Sequence, residues 1–473
     1  MSAASFVASV LLYCAAPRAF ADNGGWDYQP YRIQAIVAMD LPGGVDDLLR
    51  QELSTYLRQR VDSALAPLWQ FDIEVAAGVE QTRVFSMLQT APDTKNDFQQ
   101  EGRDKTLLLG IRTTESGYGI LAREFDSYLQ RWGPTLRREC RQLSNLPEQV
   151  FATATQAFAP IAQVDVDAKD PLLAKLKPRG GSLPRSADAP PWTKPGDIFV
   201  PMFRRTARNG KLLENGIVPV PWTYIEAVVA ENAGVQFQIR SGNRNPLAGR
   251  RSGRVEPVAI AMAADPEPTT LVLRSRKNEK KPLAGYEVFQ QNSPAVPPLR
   301  VGMTDANGRV VIPAGKLPLD MLIIKHGSEL VAKVPVVPGA EKEIKIPLPD
   351  DEARLVAEAR LAAVREDLID VVARRNILMA RARQKIKKKD FKAAEELARA
   401  LDDLPGASQF NLTLDNSARL IRSDDPQIQK RIDRLIQSTR TLTSKFLDVR
   451  PINELRNELR AAQQQPPEAA KKS

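Results

Sequence analysis

The spacing of hydrophobic positions changes several times along the chain, and each change predicts a different kind of element. Residues 31–39 (Tyr-Arg-Ile-Gln-Ala-Ile-Val-Ala-Met) are largely apolar over a strand's length, which predicts a buried strand. Gly43-Gly44 then opens an amphipathic helix with Leu48, Leu49, Leu53, Leu57 and Val61 on one face. Phe71-Asp72-Ile73-Glu74-Val75 alternates as a second strand, and a short helix is expected over 79–88. Leu107-Leu108-Leu109-Gly110-Ile111 supplies another buried strand, 117–142 reads as a hairpin, and a helix at 147–159 with Val164-Asp165-Val166 closes the unit. Strands and helices in this order predict an open α/β layer over 22–170.

Pro178, Pro184, Pro190, Pro191 and Pro195 with Gly180-Gly181 break helix and sheet alike, so 171–196 reads as a linker. Over 197–265 short strands (197–205, 218–231, 235–239 and 255–262) fall around Asn-Gly turns at 209–210 and 215–216, which predicts a small barrel or sandwich. Asp265-Pro-Glu-Pro268 marks the next boundary, and 266–349 again reads as all-β. From 350 to 462 the spacing turns helical: Leu361, Val364, Leu368, Val371, Leu378 and Ala382 predict one long helix over 351–388 or a helix broken near Arg375-Asn376. Further helices are expected near 426–447 and 451–462, with a disordered Gln/Pro/Lys-rich tail at 463–473. The fold class is therefore multidomain α+β: an N-terminal open α/β layer, two small all-β domains and a C-terminal helical domain.

Pro282-Leu283-Ala284-Gly285-Tyr286-Glu287-Val288 followed by Thr304-Asp305-Ala306-Asn307-Gly308-Arg309-Val310 resembles the carboxypeptidase regulatory-like (transthyretin-type) β-sandwich. The resemblance covers 269–348, implies a fold, and carries no catalytic residue. Asn307-Gly308 is independently a tight-turn signal, because both residues tolerate positive φ. Asp390-Phe391 with Ala394, Leu397, Leu401 and Pro405 resembles one tetratricopeptide-type helical hairpin at about 376–405; arrays of such hairpins need about three units, so a lone hairpin is expected. As a whole the chain is similar to exported bacterial proteins of unassigned activity.

Composition narrows the chemistry. In 473 residues there are one His, two Cys and 6% aromatics, which argues against metal centres, disulfide scaffolds and His- or Cys-based catalysis. The apolar run from Ala3 to Pro17 leads to Ala19-Phe20-Ala21, so residues 1–21 read as a signal peptide cleaved before Asp22. Cleavage leaves Cys140 as the sole cysteine, among Arg137, Arg138 and Arg141, where it reads as an apolar filler. No later stretch is long enough to span a membrane. The expected place is the periplasm or cell envelope.

Charge is uneven. The segment 22–170 holds 15 basic and 22 acidic residues, whereas 171–350 holds 26 and 16, within a chain of net charge +10. Arg240, Arg244, Arg250, Arg251 and Arg254 crowd one Gly/Asn-rich loop, a pattern suited to anionic polymers and equally to a solvated loop tip. Lys385, Lys387, Lys388, Lys389 and Lys392 read as a solvated turn, and the lack of interleaved aromatics argues against nucleic acid.

No Gly-x-Ser-x-Gly elbow, Ser-x-x-Lys pair or phosphate loop is present, and His326 reads as a turn residue at a strand end. No cofactor is implied. Asp40 at the end of the first strand and Asp46 and Asp47 at the first helix leave a carboxylate-dependent glycan hydrolase as the alternative, though helix-start acids account for the latter pair. Trp222 and Tyr224 read either as a sugar-stacking shelf or as barrel core. The leading expectation is a non-enzymatic binding or scaffolding protein whose partners are envelope proteins or anionic polymers.

Overall fold

The computed structural model describes residues 25–42, 46–90, 102–187, 189, 191–230, 234–243, 246–247, 254–262, 267–291, 296–314 and 319–464. The expected signal peptide, Gly43-Gly44, and the tail beyond 464 lie outside these residues, as do the side chains of 46–48. The protein is a mixed α and β chain with several sheets and a C-terminal helical region.

The first sheet is built from β1 (Tyr31–Asp40), β2 (Trp69–Val75), β3 (Lys105–Thr114), β4 (Gly117–Asp126), β5 (Arg131–Trp132) and β6 (Leu136–Cys140). Its order is β2-β1-β3-β4-β5, with β6 also paired to β4; β1 runs parallel to β2 and β3, and β4 turns back antiparallel. Helices α1 (Asp46–Ala64), α2 (Val79–Gln89) and α3 (Leu146–Ala157) cover it. One face packs Ile33, Val37, Leu107 and Leu109 with Leu53 and Leu57 of α1 and Val150 of α3. The other packs Ile36, Ala38, Leu108 and Leu121 with Val84 and Leu88 of α2. Both faces are buried, which is why β1 and β3 read as continuous apolar runs and not as alternating strands.

Val164-Asp165-Val166 does not close this layer. It belongs to β7 (Ile161–Val166), which pairs with β8 (Leu173–Pro178) and β13 (Val255–Met262) in a second sheet. With β9 (Ile198–Thr206), β11 (Thr223–Val229) and β12 (Val235–Ser241) these strands form a ring, because β9 and β13 pair along Ile198–Arg205 and Val255–Met262. The result is a six-stranded barrel in the order β9-β11-β12-β8-β7-β13, and β10 (Leu212–Pro219) extends one edge of β9. Closure removes the free edges that two short β domains would otherwise expose. Phe199, Ile225, Phe237 and Ala259 fill the interior.

Two local expectations in the barrel are corrected. The segment 218–231 is not one strand: Pro221 and Trp222, at φ 53°, separate β10 from β11. Asn215-Gly216 is a bulge within β10, where the register shifts between Leu212 and Ile217; a Cβ on Gly216 would lie 2.7 Å from the carbonyl oxygens of Arg205 and Leu213.

The expected linker 171–196 is also corrected. Leu173–Pro178 is barrel strand β8, and the chain after it is pinned: Gly180 N–H donates to the Trp26 carbonyl and Ser182 N–H to that of Asp27. Gly180 sits at φ +67°, and a Cβ there would meet Leu68 Cδ1 at 2.6 Å. Trp192 packs against Phe199 and Phe237 of the barrel. Proline here stiffens a packed crossing, and a compositional signal cannot tell that from a free tether.

Two sheets then face one another: β17-β14-β20 and β16-β15-β18-β19, from β14 (Thr269–Ser275), β15 (Glu287–Gln291), β16 (Leu299–Met303), β17 (Arg309–Ile312), β18 (Asp320–His326), β19 (Glu329–Val336) and β20 (Glu343–Leu348). Leu271, Leu273, Val288, Leu322, Ile324, Val336 and Ile346 fill the space between them. The helical region comprises α4 (Glu352–Lys387), α5 (Phe391–Ala400), α6 (Ala407–Leu420), α7 (Pro426–Phe446) and α8 (Arg450–Gln464). α4 runs unbroken through Arg375-Asn376, so the hairpin resemblance falls on the end of a 36-residue helix and α5. α8 reaches Gln464, past the expected start of the tail.

Candidate functional site

The strand pairing brings two carboxylates together in the α/β layer. Lys105 lies opposite Asp126 in the β3–β4 register, and Glu124 stands two residues along, on the same face. Lys105 Nζ donates to Glu124 Oε1 at 2.5 Å, to Asp126 Oδ2 at 2.7 Å and to the Ala159 carbonyl at 2.7 Å. All three side chains are buried, and Glu124 Oε2 also accepts the Ala159 N–H at 3.0 Å. Burial favours the neutral amine, but Asp126 and Glu124 outweigh it and hold Lys105 charged. One ammonium cannot balance two desolvated carboxylates, and the excess falls on Glu124: burial pushes its carboxyl up to about 7.

The rings of Tyr31 and Phe158 screen this cluster, with Lys105 Nζ 5.6 Å and 5.0 Å from their centroids. Tyr31 meets Phe158 edge-on at 4.9 Å, and Trp69 packs on Phe158 at 4.8 Å. This aromatic wall lines a cavity of about 430 Å³ between the α/β layer, the barrel and the Pro-rich crossing. Trp192, Ile198, Met262 and Val337 form the far side. Trp69 is only 4% exposed, and its indole Nε1 has no hydrogen-bond partner among the described residues. Three cations line the cavity. Arg179 is buried, donating from Nη2 to the Pro30 carbonyl at 3.0 Å and to Asp104 Oδ2 at 2.8 Å. Burial opposes ionisation of Asp104, but Arg179 and Arg32 hold its carboxyl below the ordinary value. Arg185 and Lys194 are exposed at the cavity, and Asp197 is its one lining carboxylate among the described residues, with Oδ2 accepting the Lys194 N–H.

The residues singled out in the sequence lie elsewhere. Arg240 is paired with Glu226 at 2.8 Å, and Arg254 is exposed at the start of β13; Arg244, Arg250 and Arg251 lie outside the described residues. Arg240 lies opposite Tyr224 and Glu226 opposite Gln238, so the two are diagonal neighbours across β11 and β12 and this guanidinium is engaged in a cross-strand pair. Asp40 is exposed at the end of β1, and the side chains of Asp46 and Asp47 are outside the description. Cys140 is buried, with Sγ donating to the Gln142 carbonyl at 3.1 Å. Trp222 and Tyr224 form neither a shared shelf nor barrel core: Trp222 packs against the sandwich core, and Tyr224 against Ile198, Leu319 and Val337.

His326 does stand at a strand end, the end of β18, yet it is buried at the junction of sandwich and helices. Its ring stacks on Tyr286 at 4.2 Å, and Nδ1 is 3.6 Å from Asp351 Oδ2. Arg354, 1% exposed, donates from Nε and Nη2 to Asp351 and from Nη2 to the His326 carbonyl, and pairs through Nη1 with Glu358. Burial opposes ionisation of Asp351, but His326 and Arg354 hold its carboxyl below the ordinary value. This network joins α4 to the sandwich.

Sequence reasoning missed the cavity because its walls come from six separated segments. The one local signal was Trp192, a large aromatic in a stretch otherwise typical of a tether. Among the described residues no group of His, Cys, Asp and Glu is arranged to hold a metal ion, and no helix is long and apolar enough to cross a membrane. No family model matches the chain, and no curated protein matches it. A solved structure that aligns with it is TolB from Acinetobacter baumannii, at 12% identity and a TM-score of 0.17, covering 66% of this chain and 83% of that one. A score that low carries no argument about fold or role.

Proposed function

We propose that the protein is an exported, non-enzymatic binding or scaffolding protein of the cell envelope, and that the cavity between the α/β layer and the barrel is its binding site. The observation that carries this reading is the cavity itself: an apolar, aromatic-walled space of about 430 Å³ bounded by several structural units, in the usual size range of small-molecule sites. The glycan-hydrolase alternative rests on Asp40, which is exposed at the end of β1 and does not line this cavity, and the buried pair Glu124 and Asp126, bound to one ammonium, does not present two carboxyl groups to a sugar. The sandwich is then a spacer of the carboxypeptidase regulatory-like type, a reading supported by the turn in which Asp305 Oδ1 accepts the N–H groups of Asn307 and Arg309.

Binding is tested with N-phenyl-1-naphthylamine, a neutral apolar dye that brightens when it leaves water. The full chain should bind it with one-site behaviour. Ala189→Phe, placed in the half-buried cavity wall, should abolish most of the emission gain without changing the melting temperature. Dye binding unaltered by that substitution would show that the cavity is not the site.

A further inference from the structure

We infer that the cavity takes an amphiphilic monoanion, a single carboxylate on a hydrocarbon body, with the head group held by Arg185 and Lys194. This rests on the cavity being a binding site, and adds the chemistry of what enters it.

Two observations converge. First, the walls suit hydrocarbon: Leu68, Trp69, Phe158, Pro160, Trp192 and Met262 offer rings and aliphatic surface against which an apolar body leaves water. Second, the charge at the cavity is positive. Arg179 is neutralised by Asp104, which leaves Arg185 and Lys194 against Asp197, and the Asp197 carboxylate already accepts a backbone N–H. A cationic amphiphile would meet two like charges, whereas a carboxylate meets guanidinium and ammonium donors suited to it. The volume is too small for a folded partner and is matched to a chain of moderate length.

The experiment displaces N-phenyl-1-naphthylamine from the full chain with decanoate, 1-decanol and decylamine, three probes of equal chain length and different head group. Decanoate should bind at least about tenfold more tightly than decylamine, with the alcohol between them. Arg185→Gln combined with Lys194→Gln should weaken decanoate about tenfold and leave the alcohol unchanged. Equal affinity for the three probes, or decanoate binding indifferent to the double Gln variant, would overturn the assignment of an anionic ligand. In each case the loss of dye binding in Ala189→Phe would still stand, which separates this inference from the reading beneath it.

Discussion

Glu124 is the residue at which burial and charge balance are most finely opposed. In the unfolded chain its carboxyl ionises in the ordinary range; in the folded protein it keeps a proton up to about pH 7. The folded state therefore binds more protons than the unfolded state between those two values, and stability falls as pH rises through that window. The full effect of the shift is at most about 3 kcal/mol. Glu124→Gln removes the titrating group and should flatten the profile; because both Glu124 oxygens accept hydrogen bonds, its amide NH2 meets a donor, so the variant should fall below the parent at pH 5 and come closer to it at pH 8. Amide hydrogen exchange in β3 and β4, followed across pH 5–8, measures this directly; an equally steep profile in Glu124→Gln would place the titrating group elsewhere. None of this was legible in the sequence. Lys105, Glu124 and Asp126 are ordinary charged residues until antiparallel pairing sets them on one buried face, and nothing in a strand's local pattern announces its partner's register.

Elements with a strong period of their own were legible, and those defined by their partners were not. β1, α1 and β3 could be read because each carries its apolar pattern within about ten to twenty residues. The helix α6 was missed: its large buried apolar side chains are Phe410 and Leu414, in a segment otherwise rich in Ser, Asn, Thr and Asp, and tertiary packing decides it. β7 was read as a strand but given to the wrong sheet, since Val164-Asp165-Val166 says nothing about whether α/β layer or barrel supplies its neighbours. The mooring of α4 shows the same dependence, because Asp351, Arg354 and Glu358 read as a helix start and become a buried network only against His326 and Tyr286. Arg354→Ala strands the Asp351 carboxylate and should destabilise the joined sandwich and helices by about 3–5 kcal/mol. Replacing both partners, Arg354→Met with Asp351→Leu, should recover most of that loss in thermal denaturation. A double variant no more stable than Arg354→Ala would mean that lost packing, and not the uncompensated charge, accounts for the damage.

For the whole molecule, an acidic first segment and a basic middle one are the ground for proposing that the arginine-rich segment binds polyanions. Arg240 is committed to Glu226, so any such binding rests on the remaining arginines of the loop. Changing Arg244, Arg250 and Arg251 together to Ser should lower the salt concentration that elutes the protein from heparin and leave its melting temperature unaltered; unchanged elution would make the loop a solvated tip. Strands β7 and β8 tie the first layer to the barrel so that neither can be excised whole: a fragment ending at residue 170 would carry β7 with both its neighbours gone, an open edge prone to association. At the other end of the chain, α4 is a rod of 36 residues, about 54 Å long at 1.5 Å per residue. Its first turn is clamped by Arg354 to the sandwich, and its last third bears the cluster of Met379, Ala382, Leu401 and Leu455. The arrangement is a lever with its fulcrum at the clamp: a pivot of about 5° there would carry the far tip through about 5 Å, so a modest rearrangement around His326 would be amplified into a displacement the width of a strand spacing.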